Sequence, residues 1–391
     1  MLRAACLCLI VSFASFALAQ NTDSHELSAA QSAPVQVIYV VDGTSVVTYN
    51  VDPQSLNPIR VGKPIPLSAV SGYYWLIPSP NGRFLYVFSN DSGSNERLWV
   101  YDTDASGVPQ VPAVQVINAK GLYDLAIDRN TGFLYAIYEF PNANPEYTNY
   151  TISRFVVNPS TGAISQRLLE AKYKMPSGVG GSEACGLWIF GFNGAGTKFY
   201  DQVLCSYHGG YSETYNQRSV NLQTGALGPD VQLYAWGNSS GGGESVQFIG
   251  DLMFVSASPD DYQQGLNSFD IYPLKPGTKT PIVNCTASML EACGYSGGRA
   301  HPSGKYIFMG TPQIEKVELS EKKLVVTPNY IPYRITGFSP DGTLVYTLNY
   351  SWDGSYYDLG IYGFNLTSSE VTPGGYLNLP ATDSYFVAQR Y

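Results

Sequence analysis

The chain has 391 residues, with 22 Lys and Arg against 31 Asp and Glu, a net charge of −9 at pH 7, and only 14% of its residues are charged. An acidic protein of this size repels phosphate backbones, so nucleic acid is excluded as an expected partner. The many Tyr (31) and Gly (39) residues are typical of a β-rich, turn-rich protein.

The N-terminal segment predicts export. Residues 1–19 have the features of a secretory signal peptide, because Arg3 precedes an apolar run at 7–18 and the run ends in small residues that suit cleavage. No later segment reaches about 18 uninterrupted apolar residues, so we expect no membrane span. Residues 20–34 are predicted to be a disordered polar lead and 35–391 a single domain, in a secreted or periplasmic protein.

Four cysteines follow the predicted leader, and an even number in an exported chain favours disulfides. Turn residues around Ala195 predict a hairpin in which Cys185 and Cys205 lie opposite each other, within reach of a disulfide. Cys285 and Cys293 are predicted to form a second bridge that closes a small loop. The alternative for each pair is two free buried thiols.

A short turn-and-strand phrase recurs along the chain. It begins at Ser79 and at Ser339 with Ser-Pro-Asn/Asp-Gly, and a degenerate copy begins at His301. The strand that follows such a turn carries an anchor residue, and seven anchors are predicted at Tyr39, Tyr86, Tyr135, Tyr200, Phe254, Ile307 and Tyr346. Their mean spacing of roughly 51 residues is that of a propeller repeat.

Each repeat offers four strands of alternating apolar residues bounded by Asn, Asp, Gly and Pro, and no segment shows helical periodicity. The first repeat lacks an inner strand, whereas residues 383–391 resemble an inner strand with no repeat to follow. The sequence therefore predicts an all-β, seven-bladed β-propeller of four-stranded antiparallel blades. In this ring the C-terminal strand completes the first blade and removes exposed sheet edges.

These phrases resemble those of the lactonase-type propellers, the superfamily of 6-phosphogluconolactonase-like and YVTN-repeat proteins. The matching features are the Ser-Pro-Asp-Gly turn at 339–342, the Leu-Tyr-Val strand at 85–87 and the Thr-Gly turns at 161–162 and 224–225. The resemblance covers nearly all of the chain after the predicted leader. It implies the seven-bladed ring and, as an activity, hydrolysis of a lactone without a metal or cofactor.

Aligned inner strands predict a ring of side chains at the mouth of the central channel: Tyr74, Tyr123, Trp188, Glu244, Ser296, Arg334 and Asp383. The polar neighbours of this ring are Asp124, Glu183 and Arg299. Aromatic faces mixed with charged groups suit a polar, ring-shaped ligand such as a sugar. We predict that Tyr74, Tyr123, Asp124, Trp188 and Asp383 bind it.

Lactone hydrolysis would need a carboxylate that activates water and a cation beside the developing oxyanion. The predicted catalytic set has Glu244 or Glu183 as the base and Arg334 or Arg299 as the cation. The alternative is that these four residues form ordinary ion pairs and solvated loop ends.

The histidines argue for a structural role. Lactonase-type enzymes place an Arg-His pair ahead of a turn of this class, whereas His301 falls on the turn itself, at the position of Ser339. With three histidines in the chain, a clustered histidine metal site is excluded, and no metal or cofactor is expected.

Two functions follow from these observations. The first is a monomeric, exported propeller that binds a small polar ligand or a protein partner at the channel mouth. The alternative is a metal-independent, lactonase-like hydrolase of a sugar or carboxylic lactone. The sequence leaves open whether the protein is an enzyme.

Overall fold

Alternating apolar strands pair into seven antiparallel sheets of four strands each, which form a seven-bladed propeller. The computed structural model describes residues 36–42, 45–67, 73–90, 96–128, 130, 132–165, 167–179, 183–207, 210–238, 245–256, 269–277, 280–284, 299–309, 313–332, 334–339, 341–350, 356–380 and 387–389. The predicted leader and polar lead lie outside these residues. The described residues contain no α-helix, and thus none long and apolar enough to cross a membrane.

The strands of the first three blades, in chain order, are β1 (Gln36–Asp42), β2 (Ser45–Val51), β3 (Pro58–Pro66), β4 (Tyr73–Pro78), β5 (Phe84–Asn90), β6 (Arg97–Asp102), β7 (Gln115–Asn118), β8 (Leu122–Ile127), β9 (Phe133–Pro141), β10 (Tyr147–Val156) and β11 (Leu168–Pro176). Blades 4 and 5 comprise β12 (Ala184–Phe192), β13 (Lys198–Tyr207), β14 (Gly210–Val220), β15 (Leu227–Asn238), β16 (Ser245–Ile249), β17 (Leu252–Ser256), β18 (Phe269–Pro273) and β19 (Val283–Asn284). The remaining strands are β20 (Arg299–Ala300), β21 (Tyr306–Phe308), β22 (Gln313–Glu318), β23 (Lys323–Tyr330), β24 (Arg334–Phe338), β25 (Leu344–Tyr350), β26 (Tyr356–Phe364), β27 (Val371–Pro380) and β28 (Val387–Gln389).

Blade 1 is assembled from both ends of the ring. Its strand order is β28-β1-β2-β3, whereas blades 2 to 7 each use four consecutive strands. The C-terminal strand β28 pairs antiparallel with β1, as predicted. Blade 7 also contacts blade 1 through β27 and β3. The predicted fold class and the closure of the first blade are confirmed.

The recurring phrase forms a turn that a serine hydroxyl holds. In blade 2, the amide of Ser79 donates to the carbonyl of Phe84 at 2.8 Å, and Ser79 Oγ accepts from the amide of Phe84 at 2.9 Å. The same hydroxyl donates to Asn81 at 2.7 Å. Gly82 has φ +64°, a conformation that favours glycine. Ser339 makes the equivalent bonds in blade 7.

His301 holds the corresponding turn in blade 6. Its amide donates to the carbonyl of Tyr306 at 2.9 Å, and its ring is completely buried. Nδ1 accepts from the amide of Ser303 at 3.1 Å, which leaves Nε2 as the donor to the carbonyl of Gly342 in blade 7 at 2.8 Å. Burial lowers the pKa of His301, so the neutral ring is favoured. The structure therefore gives His301 a structural role that joins two blades.

Tyrosine hydroxyls join neighbouring blades at the end of the ring that holds these turns, which we call the turn end. Each donates to a main-chain carbonyl in the outer turn of the next blade: Tyr39 to Gly107 (2.8 Å), Tyr86 to Gly162 (3.1 Å), Tyr135 to Gly225 (2.5 Å) and Tyr306 to Leu366 (3.0 Å). Nearly all of these bonds are buried. Each therefore links two blades and also gives a buried carbonyl its hydrogen-bond donor.

The Thr-Gly turns are glycine because an aromatic ring of the preceding blade lies against them. A Cβ on Gly162 would lie 2.4 Å from the ring of Phe84, and a Cβ on Gly225 would lie 2.6 Å from the ring of Phe133. Both glycines also have φ near +70°. The tyrosine and the glycine of the repeat are therefore two halves of one contact between blades.

The predicted anchor of blade 6 is wrong by one residue. Since His301 takes the position of Ser79, the equivalent of Tyr86 is Phe308 rather than Ile307. A shift of one residue in a strand moves a side chain to the opposite face. Ile307 accordingly packs against blade 5, in an apolar cluster that includes Phe254.

A buried carboxyl group lies in the seam between blades 5 and 6. Glu315 pairs with Ile307 across β22 and β21, and opposed residues share a face of the sheet. Its side chain is fully buried, and neither carboxyl oxygen has a hydrogen-bond partner among the described residues. Burial raises its pKa to about 8. Glu315 is therefore a destabilising group once it ionises.

The seam between blades 3 and 4 contains buried ion pairs. Arg218 donates to Asp201 at 3.0 Å within blade 4, and its guanidinium also bonds the hydroxyl of Tyr173 in blade 3. Arg154 of blade 3 donates to Glu170 at 2.8 Å. The bond from Arg218 to Tyr173 joins the two blades, and each ion pair is costly to break because a buried charge would be left uncompensated.

We expect Tyr135→Phe to lower the free energy of unfolding by about 1–2 kcal/mol, because the buried carbonyl of Gly225 loses its donor. Urea unfolding monitored by circular dichroism measures the change. Tyr376→Phe is the matched control, since Tyr376 is 69% exposed. If the two variants were equally stable, the hydroxyl would not hold the blades together.

Glu315→Gln should stabilise the protein increasingly as the pH rises. The pKa of Glu315 is about 8 in the folded protein against 4.5 in the unfolded chain. Between these values the folded state binds more protons, so wild-type stability falls with pH by on the order of 1 kcal/mol per unit. The variant lacks this loss. Thermal unfolding of both proteins from pH 4 to 8 measures it, and a constant difference in melting temperature would contradict the expectation.

Candidate functional site

The predicted ring of inner-strand side chains is not in one register. Four of its described members precede the anchor of their blade by 12 positions: Tyr74, Tyr123, Trp188 and Arg334. Blade 2 has no bulge there, and Tyr74 pairs with Ser89, three positions beyond the anchor. Blades 4 and 7 each have a bulge in this region. Trp188 and Arg334 therefore pair with residues only two positions beyond the anchor of their own blade. At the level of Trp188, blade 2 therefore presents Trp75.

Tyr123 lies at the centre of an aromatic cluster between blades 3 and 4. It occupies a bulge at the start of β8, between the paired residues Leu122 and Asp124. Its ring meets Trp188 of blade 4 edge-on, with centroids 5.7 Å apart, and Tyr150 with centroids 6.3 Å apart. This cluster lies at the mouth end of the ring, where the inner strands begin, opposite the turn end.

Asp124 ties the inner strands of blades 3 and 4 together. Its Oδ2 accepts from the amide of Ile189 in β12 at 2.7 Å, and its Oδ1 accepts from the amide of Leu125 at 2.7 Å. Burial raises the pKa of Asp124 to about 6, although both hydrogen bonds favour the carboxylate. The residue is therefore a positioned carboxyl group that titrates near neutral pH.

Glu139 adds a second carboxyl group to the cluster. It pairs with Tyr150 across β9 and β10, so the two side chains share the face towards blade 4. Partial burial raises the pKa of Glu139. Burial, then the charge of Glu139 and then that of Asp124, raise the pKa of Tyr123 to about 12. Two carboxyl groups thus lie close enough to Tyr123 for their negative charge to disfavour ionisation of its hydroxyl.

Gly186 makes room for the indole of Trp188. A Cβ on Gly186 would lie 2.4 Å from that ring, so any larger residue would displace it. The indole is partly exposed. The cluster therefore has a fixed aromatic face beside two carboxyl groups, an arrangement that suits the apolar face and the hydroxyls of a sugar ring.

The other predicted site residues lie apart from this cluster. Tyr74 is buried in the apolar core between blades 1 and 2. Glu183 is exposed and precedes β12. Arg299 opens β20 of blade 6 and donates from Nε to the carbonyl of Ile335 in blade 7 at 3.1 Å. Arg334 opens β24. Glu244, Ser296 and Asp383 lie outside the described residues.

Cys185 and Cys205 form a disulfide between β12 and β13, where they are directly opposed. The bulge at Phe190 shifts the register, so the turn is centred half a residue beyond Ala195. Glu183 lies within 4.8 Å of both sulfurs, but sulfurs bonded to each other are not metal ligands. Cys285 and Cys293 lie outside the described residues, and their pairing stays a prediction.

Comparison with known proteins identifies the fold of the chain but not its chemical function. No protein-family model matches the chain, and no curated protein matches it in sequence. Among solved structures it is similar to a protein from Lactobacillus plantarum, with a TM-score of 0.58 and 12% identity over 90% of this chain and 99% of that one. It is also similar to the periplasmic gluconolactonase of Pseudomonas aeruginosa, with a TM-score of 0.53 and 14% identity over 91% and 99%.

The chain shares the fold of the lactonase-type propellers. It is also similar to part of prolyl oligopeptidase B from Galerina marginata, with a TM-score of 0.53 and 9% identity over 88% of this chain and 49% of that one. A gluconolactonase and an oligopeptidase thus contain one architecture. At these identities the likeness shows the fold alone, and the function must be argued from side chains.

Sequence reasoning missed Glu139 and Tyr150. Glu139 lies on the second strand of blade 3 and Tyr150 on the third, whereas the predicted ring consists of inner-strand residues. Their proximity depends on the pairing of β9 with β10, and no motif marks it. Equal spacing from an anchor predicts Tyr74 at the level of Trp188, whereas the bulges put Trp75 there.

The disulfide should stabilise the fold. Its partners are separated by 20 positions, and a loop of that size predicts a loss of about 3 kcal/mol when the bond is removed. The double variant Cys185→Ser and Cys205→Ser should therefore unfold at lower urea than the wild type. Peptide mapping without reductant should recover the linked pair, and free thiols at both positions would contradict it. A further effect of reductant on the double variant would report on Cys285 and Cys293.

Proposed function

We propose that the protein is an exported, monomeric propeller that binds a small, uncharged, sugar-like ligand at the mouth of its channel. The observation that carries the proposal is the cluster of Tyr123, Tyr150 and Trp188 beside the carboxyl groups of Asp124 and Glu139. An aromatic face such as that of the Trp188 indole packs against the apolar face of a sugar, and a carboxylate such as that of Glu139 accepts hydrogen bonds from its hydroxyls.

The cluster is supported on rigid elements. Tyr123 lies on β8 and Trp188 on β12, each paired with the second strand of its own blade, and the bond from the amide of Ile189 to Asp124 links these two inner strands. The disulfide between Cys185 and Cys205 further fixes the start of β12. A site on fixed strands loses little freedom when a ligand binds, which favours affinity.

Export is supported by the signal-like residues 1–19 and by the disulfide, since disulfides persist in oxidising compartments. Three of the predicted ligand-binding residues belong to the cluster: Tyr123, Asp124 and Trp188. The roles proposed for Tyr74 and Asp383 rest on the sequence alone. A protein partner at the same mouth is the other occupant that the sequence left open, and it would compete with a bound sugar.

Lactone hydrolysis is the second candidate, since the chain has the fold of a gluconolactonase. It would use Glu183 or Glu244 as the base and Arg299 or Arg334 as the cation. Against it, Glu183 belongs to blade 4 and Arg299 to blade 6, where its guanidinium bonds a carbonyl of blade 7. Asp124 is not a better base, since a backbone amide engages each of its oxygens.

Calorimetric titration with D-glucose, D-galactose and lactose tests the proposal. We expect at least one of them to bind the wild type, and Trp188→Ala and Glu139→Gln to weaken that binding at least about ten-fold, since each removes a direct contact. Tyr376→Ala is the matched control on an exposed strand of blade 7. No heat from any sugar, or equal affinity in all variants, would contradict sugar binding at this cluster.

Hydrolysis of D-glucono-1,5-lactone in a pH-stat separates the two candidates. The binding function predicts the buffer rate with and without protein. A faster rate that Glu183→Gln or Glu244→Gln abolishes would replace the binding function with the hydrolase.

A further inference from the structure

A cleft of about 620 Å³ opens between blades 2 and 3, between the outer strand β7 and the strands β9 and β10. Its lining contains the cations Lys120 and Arg167 and, among the residues that the structure describes, no acidic residue. This is unusual in a chain with a net charge of −9. Unlike the Tyr123 cluster, which faces blade 4, this cleft faces blade 2. Its charge favours an anionic ligand.

Arg167 is held in place by aromatic rings rather than by an acid. Its guanidinium lies 4.5 Å from the ring centroid of Tyr138 and 5.5 Å from that of Phe140, and the two rings stack with an interplanar angle of 4°. In the described part of the chain no carboxylate pairs with it. The guanidinium also hydrogen-bonds the Tyr138 side chain, and its other in-plane N–H groups match the two oxygens of a carboxylate.

The walls of the cleft are fixed to each other. Gln115 of β7 donates from Nε2 to the carbonyl of Ile164 at 3.2 Å, and its Oε1 accepts from the amide of Ile164 at 2.8 Å. This paired bond joins blade 2 to blade 3 across the cleft floor. The cleft therefore exists before a ligand enters, which lowers the entropic cost of binding.

Two hydroxyls on the same face of blade 3 have no hydrogen-bond partner among the described residues. Thr151 pairs with Tyr138 on one side and with Lys172 on the other, so all three side chains share the face towards blade 2. Ser153 lies two positions on, on the same face. Thr151 Oγ1 and Ser153 Oγ are buried and make no hydrogen bond to any residue that the structure describes. Buried hydroxyls are ordinarily paired, so these two are an exception on the face that borders the cleft, although neither lines it.

We propose that this cleft binds a sugar that carries a carboxylate, such as a uronic acid unit. The carboxylate would pair with Arg167 and Lys120, and the hydroxyls of the sugar would meet Asn118 and Ser165. The apolar face of the ring would lie against Ile117. A small inorganic anion would use only the two cations, whereas a sugar acid uses the polar and the apolar lining of the cleft. The proposal does not depend on the function assigned to the channel mouth.

Titration calorimetry of the full protein with sodium D-galacturonate tests the proposal. We expect binding that weakens with added salt, because the contact is ionic. Arg167→Gln should weaken it at least ten-fold, and Lys120→Gln should weaken it less. The matched control is Arg60→Gln, which removes an exposed arginine of blade 1 and should leave the affinity unchanged. Arg167 is exposed, so its substitution leaves the core intact.

Further titrations locate and define the site. Trp188→Ala should not change galacturonate affinity, which separates this cleft from the channel mouth. D-galactose lacks the carboxylate, so any heat that it gives should be the same in Arg167→Gln as in the wild type. Sulfate and acetate should bind at least ten-fold more weakly than galacturonate. No galacturonate binding, equal affinity in Arg167→Gln, or equal affinity for sulfate would each overturn the proposal.

Discussion

One hydrogen bond between blades explains why the repeat has the composition it has. A tyrosine hydroxyl near the start of a second strand donates to a carbonyl in the outer turn of the next blade, as from Tyr86 to Gly162 and from Tyr135 to Gly225. A single sheet cannot bury its own faces, so a propeller depends on how each blade seats on its neighbour. The glycine is required for the same reason, because the ring of Phe84 or Phe133 occupies the space that a side chain would need.

Blades 5 and 6 lack the anchor tyrosine. The buried polar groups in their seams therefore differ from those between the first four blades. Phe254 stands where other blades have an anchor tyrosine, and it has no hydroxyl to donate. In blade 6, the ring of His301 bonds the carbonyl of Gly342, which makes a second junction with blade 7 beside that of Tyr306. Glu315, in contrast, lies unpaired among the described residues of the seam between blades 5 and 6. His301 is destabilised by acid and Glu315 by base, so these seams have opposite responses to pH.

The fold could be predicted from the sequence because its information is local and repeated. Ser79, Gly82 and the strand after them specify a turn wherever they recur, and counting them yields the blades and the closure by β28. The opposed pair Cys185 and Cys205 followed from one hairpin. The candidate site could not be predicted in the same way. A bulge of one residue, invisible in the spacing, separates Tyr74 in the core from Trp75 at the level of Trp188, and Glu139 reaches Tyr123 only through strand pairing.

The two ends of the ring therefore have different roles, since one joins the blades and the other presents variable side chains. The turn end holds the serine-held turns and the tyrosine bonds, where each residue is fixed by contacts with two blades. At the mouth end the inner strands begin, and there the same level is occupied by Trp75, Asp124 and Trp188 in successive blades. A residue outside the repeated turns and tyrosine bonds is free to differ between blades, and Asp124 differs from its counterparts although it bonds blade 4. The guanidinium of Arg218, paired with Asp201 within blade 4, also bonds the hydroxyl of Tyr173 in blade 3, so variable side chains are presented on a rigid support. This division allows one architecture to contain unrelated chemistries, and it directs the search for function to the mouth end and to clefts between blades.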